Sequence, residues 1–556
     1  MRKGTKIALW IVLTLVVVLA AAVLTADIWA SRVANKAIQK AINNDTTTTT
    51  IMSIGDVHVL LLSGCVGLED IYLTTDTAVA VLNQGKLQAV NPQNKKPGMA
   101  VYVPYLSVNF VDYIRFARRR ELNIHDIAID DPQLMVLLDE KYPEKCLPEI
   151  KKTDTTTLDV NEFLKKVALS SFYLNRASCE LRSVRTKMHA KVDSISLSVN
   201  GLSFNLLDTT FAYNDSVYKL SMQHAYFRLA DGSAEVDTRG LETEDAGALK
   251  LGKTRFRNLI DSKKMAEREK DYITWVDLTV NRVQTSAFNP IRKALTQDWT
   301  LDSVYADVQK LHVIRDQHIN PNRKFPVPQE ILMKIPAKFD IKNVVADVNA
   351  VNIHFTLDAV NYGKMNLNGL KAKLKHVSNK PNIAWTSSVQ GTLGGDSRLN
   401  ATFVMHMNKN ANFETSITGT NVELGALNDF LRPIVGLTCE SHVDTLQTHY
   451  SGDAKMAQGD FLMMYHGLDV QFHKDQDIAV KEIKNFGGLI QGFANNLVPK
   501  SNPTAVDAYP RKYAVEWKHD EYKPYPLFVV GPVIIGVVET MLPGLYVHKQ
   551  IKYNKK

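Results

Sequence analysis

Four cysteines in 556 residues, Cys65, Cys146, Cys179 and Cys439, lie far apart and form no C-x-x-C pair. Structural zinc sites and thioredoxin-type redox sites need closely paired sulfurs, so the spacing argues against both. One or two disulfides stay open in an oxidising compartment, but spacing assigns none, and most of the four read as small buried hydrophobes. Catalytic signatures are missing too. There is no H-E-x-x-H to set two imidazoles and a glutamate on one helix face, and no G-x-S-x-G elbow to expose a serine. The G-x-G-x-x-G fingerprint is absent as well, and the one G-x-x-x-x-G-K-[ST] string, Gly247–Thr254, follows the acidic Glu242-Thr243-Glu244-Asp245 instead of the apolar strand that a phosphate-cradling loop follows. The six tryptophans, Trp10, Trp29, Trp275, Trp299, Trp385 and Trp517, are dispersed, which argues against an aromatic platform for glycans. Charge is not concentrated in one sign: the net +8 comes from Lys and Arg spread along the chain. That is too diffuse for a nucleic-acid groove and supports only a mild attraction to anionic lipid.

Weaker polar features have bland readings. Asp130-Asp131 precedes Pro132 and suits a turn, because neighbours on a strand end point apart. Arg118-Arg119-Arg120 reads as a solvated helix end or turn, with lipid phosphate as a lesser alternative. His442 with His449, or His466 with His473, could meet across strands as metal ligands, yet 15 histidines give such near-pairs by chance. The expectation is therefore a non-enzyme with no catalytic residue, no metal and no cofactor.

What is present begins at the N-terminus. Arg2, Lys3 and Lys6 precede an uncharged run from Ile7 to Ala26. As a helix it would span roughly 30 Å, the thickness of a bilayer core. Ile7, Trp10, Leu13, Val16, Leu19, Val23 and Ala26 are the expected anchor residues, and Trp10 and Trp29 sit near its ends, where indoles favour the interface. A signal peptide cleaved near Ala20-Ala21-Ala22 is the alternative, but the run is long and continues into a helical Asp27–Ile42. A short tail inside and a large body outside is the expected orientation.

The body reads as strands. Ile195, Leu197 and Val199 alternate with serines, and Val351, Ile353, Phe355 and Leu357 alternate with Asn352, His354, Thr356 and Asp358. Leu399, Ala401, Phe403, Met405 and Met407 repeat the pattern, as do Tyr218, Leu220 and Met222, and Leu468, Val470 and Phe472. A period of two puts apolar groups on one face, as in antiparallel sheets with one wet side. Turn signals are Asn200-Gly201, Tyr362-Gly363, Asn368-Gly369 and Gly394-Gly395. Helix candidates are few: 160–168, 249–270, 424–431 and 485–497.

The expected organisation is residues 1–45 for tail, anchor and helical stalk, 46–320 and 337–525 for two β-rich regions, a proline-bearing linker at 321–336, and an apolar terminal helix with a basic tail at 526–556. Ordinary charge (22%) and apolar content (45%) exclude wholesale disorder. In the terminal segment Glu539 is the only charge between Pro526 and Val547, and four lysines follow. Phe528, Val533, Ile534, Val537 and Leu542 are its expected membrane contacts. Packing on the end of the β body, or burial in a core, are the alternatives.

Three sets of segments stand in order along the chain. The first is Ile54-Gly55-Asp56-Val57 with Gly64-Cys65-Val66-Gly67-Leu68-Glu69-Asp70-Ile71. The second is Tyr105–Phe110, then Leu122-Asn123-Ile124-His125-Asp126-Ile127-Ala128-Ile129-Asp130-Asp131-Pro132. The third is Ser451-Gly452-Asp453, Ala457-Gln458-Gly459 and Tyr465-His466-Gly467-Leu468. In this order they resemble the opening hairpin, the next unit and the closing strands of AsmA-like proteins. The likeness covers the anchor, roughly 51–135 and roughly 337–547, with a Bacteroidetes-type flavour. It implies a single-pass protein of a bacterial inner membrane whose body is periplasmic: an elongated, curved, antiparallel β-sheet groove. It further implies that the groove binds or conducts phospholipid toward the outer membrane, with a partner at that membrane. Strand counting agrees, since about 30 strands stacked at about 4.8 Å give a sheet on the order of 140 Å long. A second sheet or acyl chains could cover its apolar face. The groove lining is then Ile195, Leu197, Val199, Val351, Ile353, Phe355, Leu357, Leu399, Phe403, Met405 and Met407. The competing expectation is a non-catalytic scaffold for outer-membrane protein assembly, its groove plugged by its own side chains.

Overall fold

A computed structural model of the chain describes residues 26–36, 39, 51–60, 63–75, 79–89, 96–110, 121–142, 166–205, 210–213, 218–244, 247–271, 273–288, 299–316, 319, 324–356, 362–393, 395–435, 437–473, 498–522, 525–541 and 550–551. The chain is mainly β and divides by its contacts into two compact units, Met1–Gly247 and Ala248–Lys556.

Unit 1 holds β1 (Ile51–Ser53), β2 (Asp56–Leu60), β3 (Cys65–Thr74), β4 (Ala80–Asn83), β5 (Lys86–Ala89), β6 (Gly98–Phe110), β7 (Glu121–Asp130), β8 (Gln133–Leu138), β9 (Lys166–Ser183), β10 (His189–Asn205), β11 (Thr210–Tyr213), β12 (Tyr218–Arg228) and β13 (Ala234–Thr243). Unit 2 holds β14 (Ala248–Leu251), β15 (Thr254–Asn258), α1 (Ser262–Glu269), β16 (Ile273–Ala287), β17 (Trp299–Asp316), α2 (Pro328–Met333), β18 (Phe339–Thr356), β19 (Tyr362–Ser378), β20 (Ala384–Thr392), β21 (Arg398–His406) and β22 (Phe413–Glu423). A short 3-10 turn at Leu424–Leu427 leads to α3 (Asn428–Val435), β23 (Leu437–Gly452), β24 (Met456–Phe472), β25 (Lys512–Lys518), α4 (Tyr525–Met541) and β26 (Gln550–Ile551).

The expected all-antiparallel pairing is corrected: the sheet is mixed. β7 and β8 run parallel to β9, and β17 runs parallel to β18. Alternation of apolar and polar residues reports a half-buried strand, not its direction, so the pattern could not tell these pairs apart. A parallel pair needs a crossover of a dozen or more residues. The proline-bearing stretch at 321–336 lies inside unit 2 and belongs to that crossover between β17 and β18, with α2 on it.

Other sequence expectations resolve unevenly. Ile7, Trp10, Leu13, Val16, Leu19 and Val23 lie outside the described residues, and Ala26 opens the described helix. Among the described residues no helix is long and apolar enough to cross a membrane. The charged 249–270 stretch supplies β14, β15 and α1, the last capped by Asp261, whose carboxylate accepts from Lys264 N at 3.0 Å. Residues 424–431 form the 3-10 turn and the start of α3, as their composition predicts. Of 160–168, residues 166–168 belong to β9 and the others are not described; nor is 485–497. Gly394-Gly395 falls between β20 and β21. Asn200-Gly201 and Asn368-Gly369 lie inside β10 and β19 instead of at turns, with φ of 72° at Gly201 and 57° at Gly369. A left-handed glycine serves a bulge as readily as a turn.

Packed cores are local. In unit 2, Phe461, Met463, Tyr465, Val515 and Ile535 form one cluster, and Phe413, Tyr450, Ala457, Tyr525 and Phe528 another. Both lie where α4 packs on β24 and β25. Gly531 abuts Trp517 and Gly536 abuts Phe461, so the missing side chains let the helix approach closely. Tyr450 donates to the Val529 carbonyl. In unit 1, Val79, Ala80, Ala100, Met135 and Leu137 pack together beside the β4–β5 hairpin.

Candidate functional site

Directly paired residues of neighbouring strands share a sheet face. In unit 1 this builds two transverse apolar rows across seven strands. Val57, Leu68, Leu106, Ile129, Leu174, Leu197 and Leu220 are successive partners from β2 to β12. Val59, Val66, Val108, Ile127, Phe172, Val199 and Tyr218 are the next row. Val57, Val199 and Tyr218 are buried, whereas the other eleven members are only half-buried. Among the described residues, no member of these rows belongs to one of the packed cores.

A third row, Leu73, Val101, Leu134, Cys179, Val192 and Ala225, has the opposite parity in sequence. Between it and the first two lies a line of residues with left-handed backbone: Asp70, Asp131, Arg176 and Ser194, with φ of 50–55°. One extra residue per strand at the same level inverts the alternation and returns apolar side chains to the same face. Asp tolerates that conformation better than most residues, and polar contacts stitch the line. Tyr102 OH donates to Asp70 at 2.6 Å, and Arg176 grips Asp131 through two bonds of 2.7 and 2.6 Å. Arg176 holds the Asp131 carboxyl below the usual range. The acidic pair before Pro132 thus sits where the bulge line crosses, with Asp130 accepting from Asn175 at 2.7 Å.

Unit 2 repeats the device. Val280, Val308, Val348 and Leu370 form one row, and Val283, Ala306, Ala346, Ala372 and Val389 another. On the far side of a bulge line run Leu278, Leu311, Val351 and Leu367, then Val276, Val313, Ile353 and Met365. The apolar parity switches between 348 and 351 in β18 and between 367 and 370 in β19, where Gly369 is left-handed. Register against β20 shifts there by one residue. Leu370 lies over the missing side chain of Gly391, two residues from Leu393 of the core that Leu367 and Met365 flank, which puts both parities on one face. Val280 and Val351 are buried; the remaining members of these four rows are half-buried.

The expected lining residues fall into different settings. Leu197 and Val199 stand in the unit 1 rows, and Ile195 pairs with Ala177 beside them. Val351 and Ile353 stand in the unit 2 rows, and Phe355 meets Phe430 of α3 at 5.3 Å. Leu399 packs against the α4-covered core, as does Phe403, 5.8 Å from Phe413. Met405 and Met407 are 1% exposed, so they serve as core. Leu357 and Leu542 lie outside the described residues. On α4, Phe528 faces the sheet at 2% exposed, Val533 and Val537 are half-buried, and Ile534 is 52% exposed. Sequence reading missed the rows on β2, β3, β6, β7, β16 and β17. The signal that would have found them is the matched parity break in successive strands.

The polar face carries histidine pairs. His442 meets His466 across β23 and β24, with ring centroids 4.9 Å apart, instead of His449. His449 contacts Ser416 at 2.9 Å and His473 contacts Thr438 at 2.9 Å. Among the described residues no group of three or more His, Cys, Asp or Glu could hold a metal ion. Glu423, 2.6 Å from His442 Nδ1, raises that imidazole's pKa. A raised folded value stabilises the fold below the ordinary imidazole range, and the contribution is lost as pH rises through the raised value. An NMR titration is expected to show His442 ionising above an unperturbed histidine, with Glu423→Gln removing the difference; no change in Glu423→Gln would break the assignment. Burial pushes the thiols of Cys65, Cys179 and Cys439 up, the last to about 11, so none is set up as a nucleophile. An open polar cleft of about 470 Å³ beside β22, lined by His406, Glu414, Asp453 and Gln458, offers no continuous apolar wall.

No family model matches the chain, and no curated protein matches it.

Proposed function

We propose that this chain binds phospholipid acyl chains along the apolar rows of its sheet, as a non-catalytic protein anchored by residues 7–26 in a bacterial inner membrane with its body in the periplasm. The carrying observation is the continuity of apolar rows, seven strands wide in unit 1 and at least four in unit 2, most of whose members are only half-buried. Such a face is costly in water and gains about 0.8 kcal/mol for each methylene laid on it. Movement along the rows toward an outer membrane would need no covalent chemistry.

Site-specific photocrosslinking in cells tests the reading. Benzoylphenylalanine in place of Leu197 or Ile353 is expected to capture phospholipid, while the same group in place of Ser198 or His354, on the other face, is not. Absence of lipid adducts at both row positions would move the balance to the scaffold for outer-membrane protein assembly.

A further inference from the structure

Among the described strands β2 pairs only with β3, which leaves its other side open. The helix at residues 26–36, with Gln39 beyond it, lies along that side. Ser31 Oγ accepts from Val59 N at 2.8 Å and donates to Asp27 O at 2.8 Å. Gln39 Nε2 donates to Ile54 O at 2.8 Å, and Asn35 Nδ2 to Asp56 Oδ1 at 3.1 Å. Residues 31, 35 and 39 recur every four positions, so they form one stripe of the helix. Side chains thus meet edge groups that a further strand would otherwise take.

The adjoining stripe is different in kind: Trp29 is 68% exposed and Val33 47%, Arg32 and Lys36 are exposed among them, and Ile28, at the head of the hydrogen-bonded stripe, is 52% exposed. No acid stands at 28–36. The described helix starts at Ala26, the last residue of the uncharged run, which places this stripe at headgroup level if the run crosses a bilayer.

We propose that this stripe is a docking surface for an anionic lipid bilayer. Ile28, Trp29 and Val33 enter the interface, and Arg32 and Lys36 contact lipid phosphate. Ser31, Asn35 and Gln39 then hold the edge where the unit 1 rows begin, at Val57 and Val59, beside the lipid. The inference rests on the lipid reading above and names where acyl chains reach the rows. Apolar side chains with basic neighbours and no acid fit an anionic membrane better than a second copy of the same basic stripe.

The test uses the full chain in vesicles of phosphatidylcholine and phosphatidylglycerol with acyl chains brominated near the headgroup. The fluorescence of Trp29 is taken as the difference between wild type and Trp29→Phe. It is expected to be quenched, and the quenching to fall several-fold in Arg32→Glu/Lys36→Glu and in vesicles of phosphatidylcholine alone. Unquenched Trp29 overturns the proposal, and if it is also shielded from iodide it marks a protein contact. Quenching that ignores both the charge reversal and the lipid overturns the anionic recognition. Lipid adducts at Leu197 and Ile353 with Trp29 unquenched would sink this docking alone; quenched Trp29 without adducts would sink the row reading alone.

Discussion

Replacing Phe413 by alanine is expected to cost unit 2 about 3–5 kcal/mol, the usual loss for emptying a buried phenyl site. Phe413 is 1% exposed, with ring centroids 5.8 Å from Phe403, 6.4 Å from Tyr450, 6.1 Å from Tyr525 and 5.6 Å from Phe528. Two of these partners, Tyr525 and Phe528, are in the first turn of α4. The cavity therefore opens under the helix start, where His519 also stacks on Phe528 at 4.5 Å. Stability is lost unevenly as a result: hydrogen exchange is expected to accelerate across 525–541 more than across β21 to β23. The helix start is also held by the Tyr450 hydroxyl, which donates to the Val529 carbonyl, while Ile535 anchors a later turn in the other core. A loss below about 1 kcal/mol, with exchange in α4 unchanged, would mean that the helix does not depend on this cluster.

The same helix shows what a sequence can and cannot say. Its apolar run from Pro526 marked a segment in need of cover, and lipid, the β body and a core all satisfied that need on paper. Glycines at 531 and 536 lower helix propensity taken alone, and only the partner rings of Trp517 and Phe461 make them contact sites. Strand identity was legible over stretches where alternation ran unbroken, as at 195–199 in β10, 351–355 in β18 and 399–405 in β21. It was least legible at bulge lines. There Asn368-Gly369 reads as a turn, and the apolar set of β19 splits into 365 and 367 against 370, 372 and 374. A break in one strand is ambiguous. The same break in β17, β18 and β19 at one level fixes the face, and that needs register, which single-strand patterns do not hold. Strand direction was hidden for the same reason. The histidine pair 442 and 466 is another product of register, since 24 positions of chain separate two rings that share one rung.

A carboxylate placed in a half-buried row should remove lipid and spare the fold. Leu197→Asp and Ile353→Asp each sit where the native side chain is half-buried, so the charged group can still reach water. Their expected stability cost is about 1 kcal/mol. A carboxylate there denies the acyl chain about four methylenes of apolar contact, ~3 kcal/mol at 0.8 kcal/mol each, or on the order of 100-fold in affinity. Phospholipid capture at neighbouring row positions should fall accordingly, while the protein accumulates normally. Met405→Asp and Met407→Asp supply the contrast. Both native side chains are 1% exposed. A carboxylate at either site is buried without a partner, so the expected result is loss of the protein by several kcal/mol of destabilisation and not a folded, lipid-free form. Val351→Asp falls between, since Val351 stands in a row yet is 6% exposed. Undiminished lipid capture in folded Leu197→Asp and Ile353→Asp would leave the rows without a ligand. Their half-exposed side chains would then have to be covered by protein, which is the arrangement a scaffold requires.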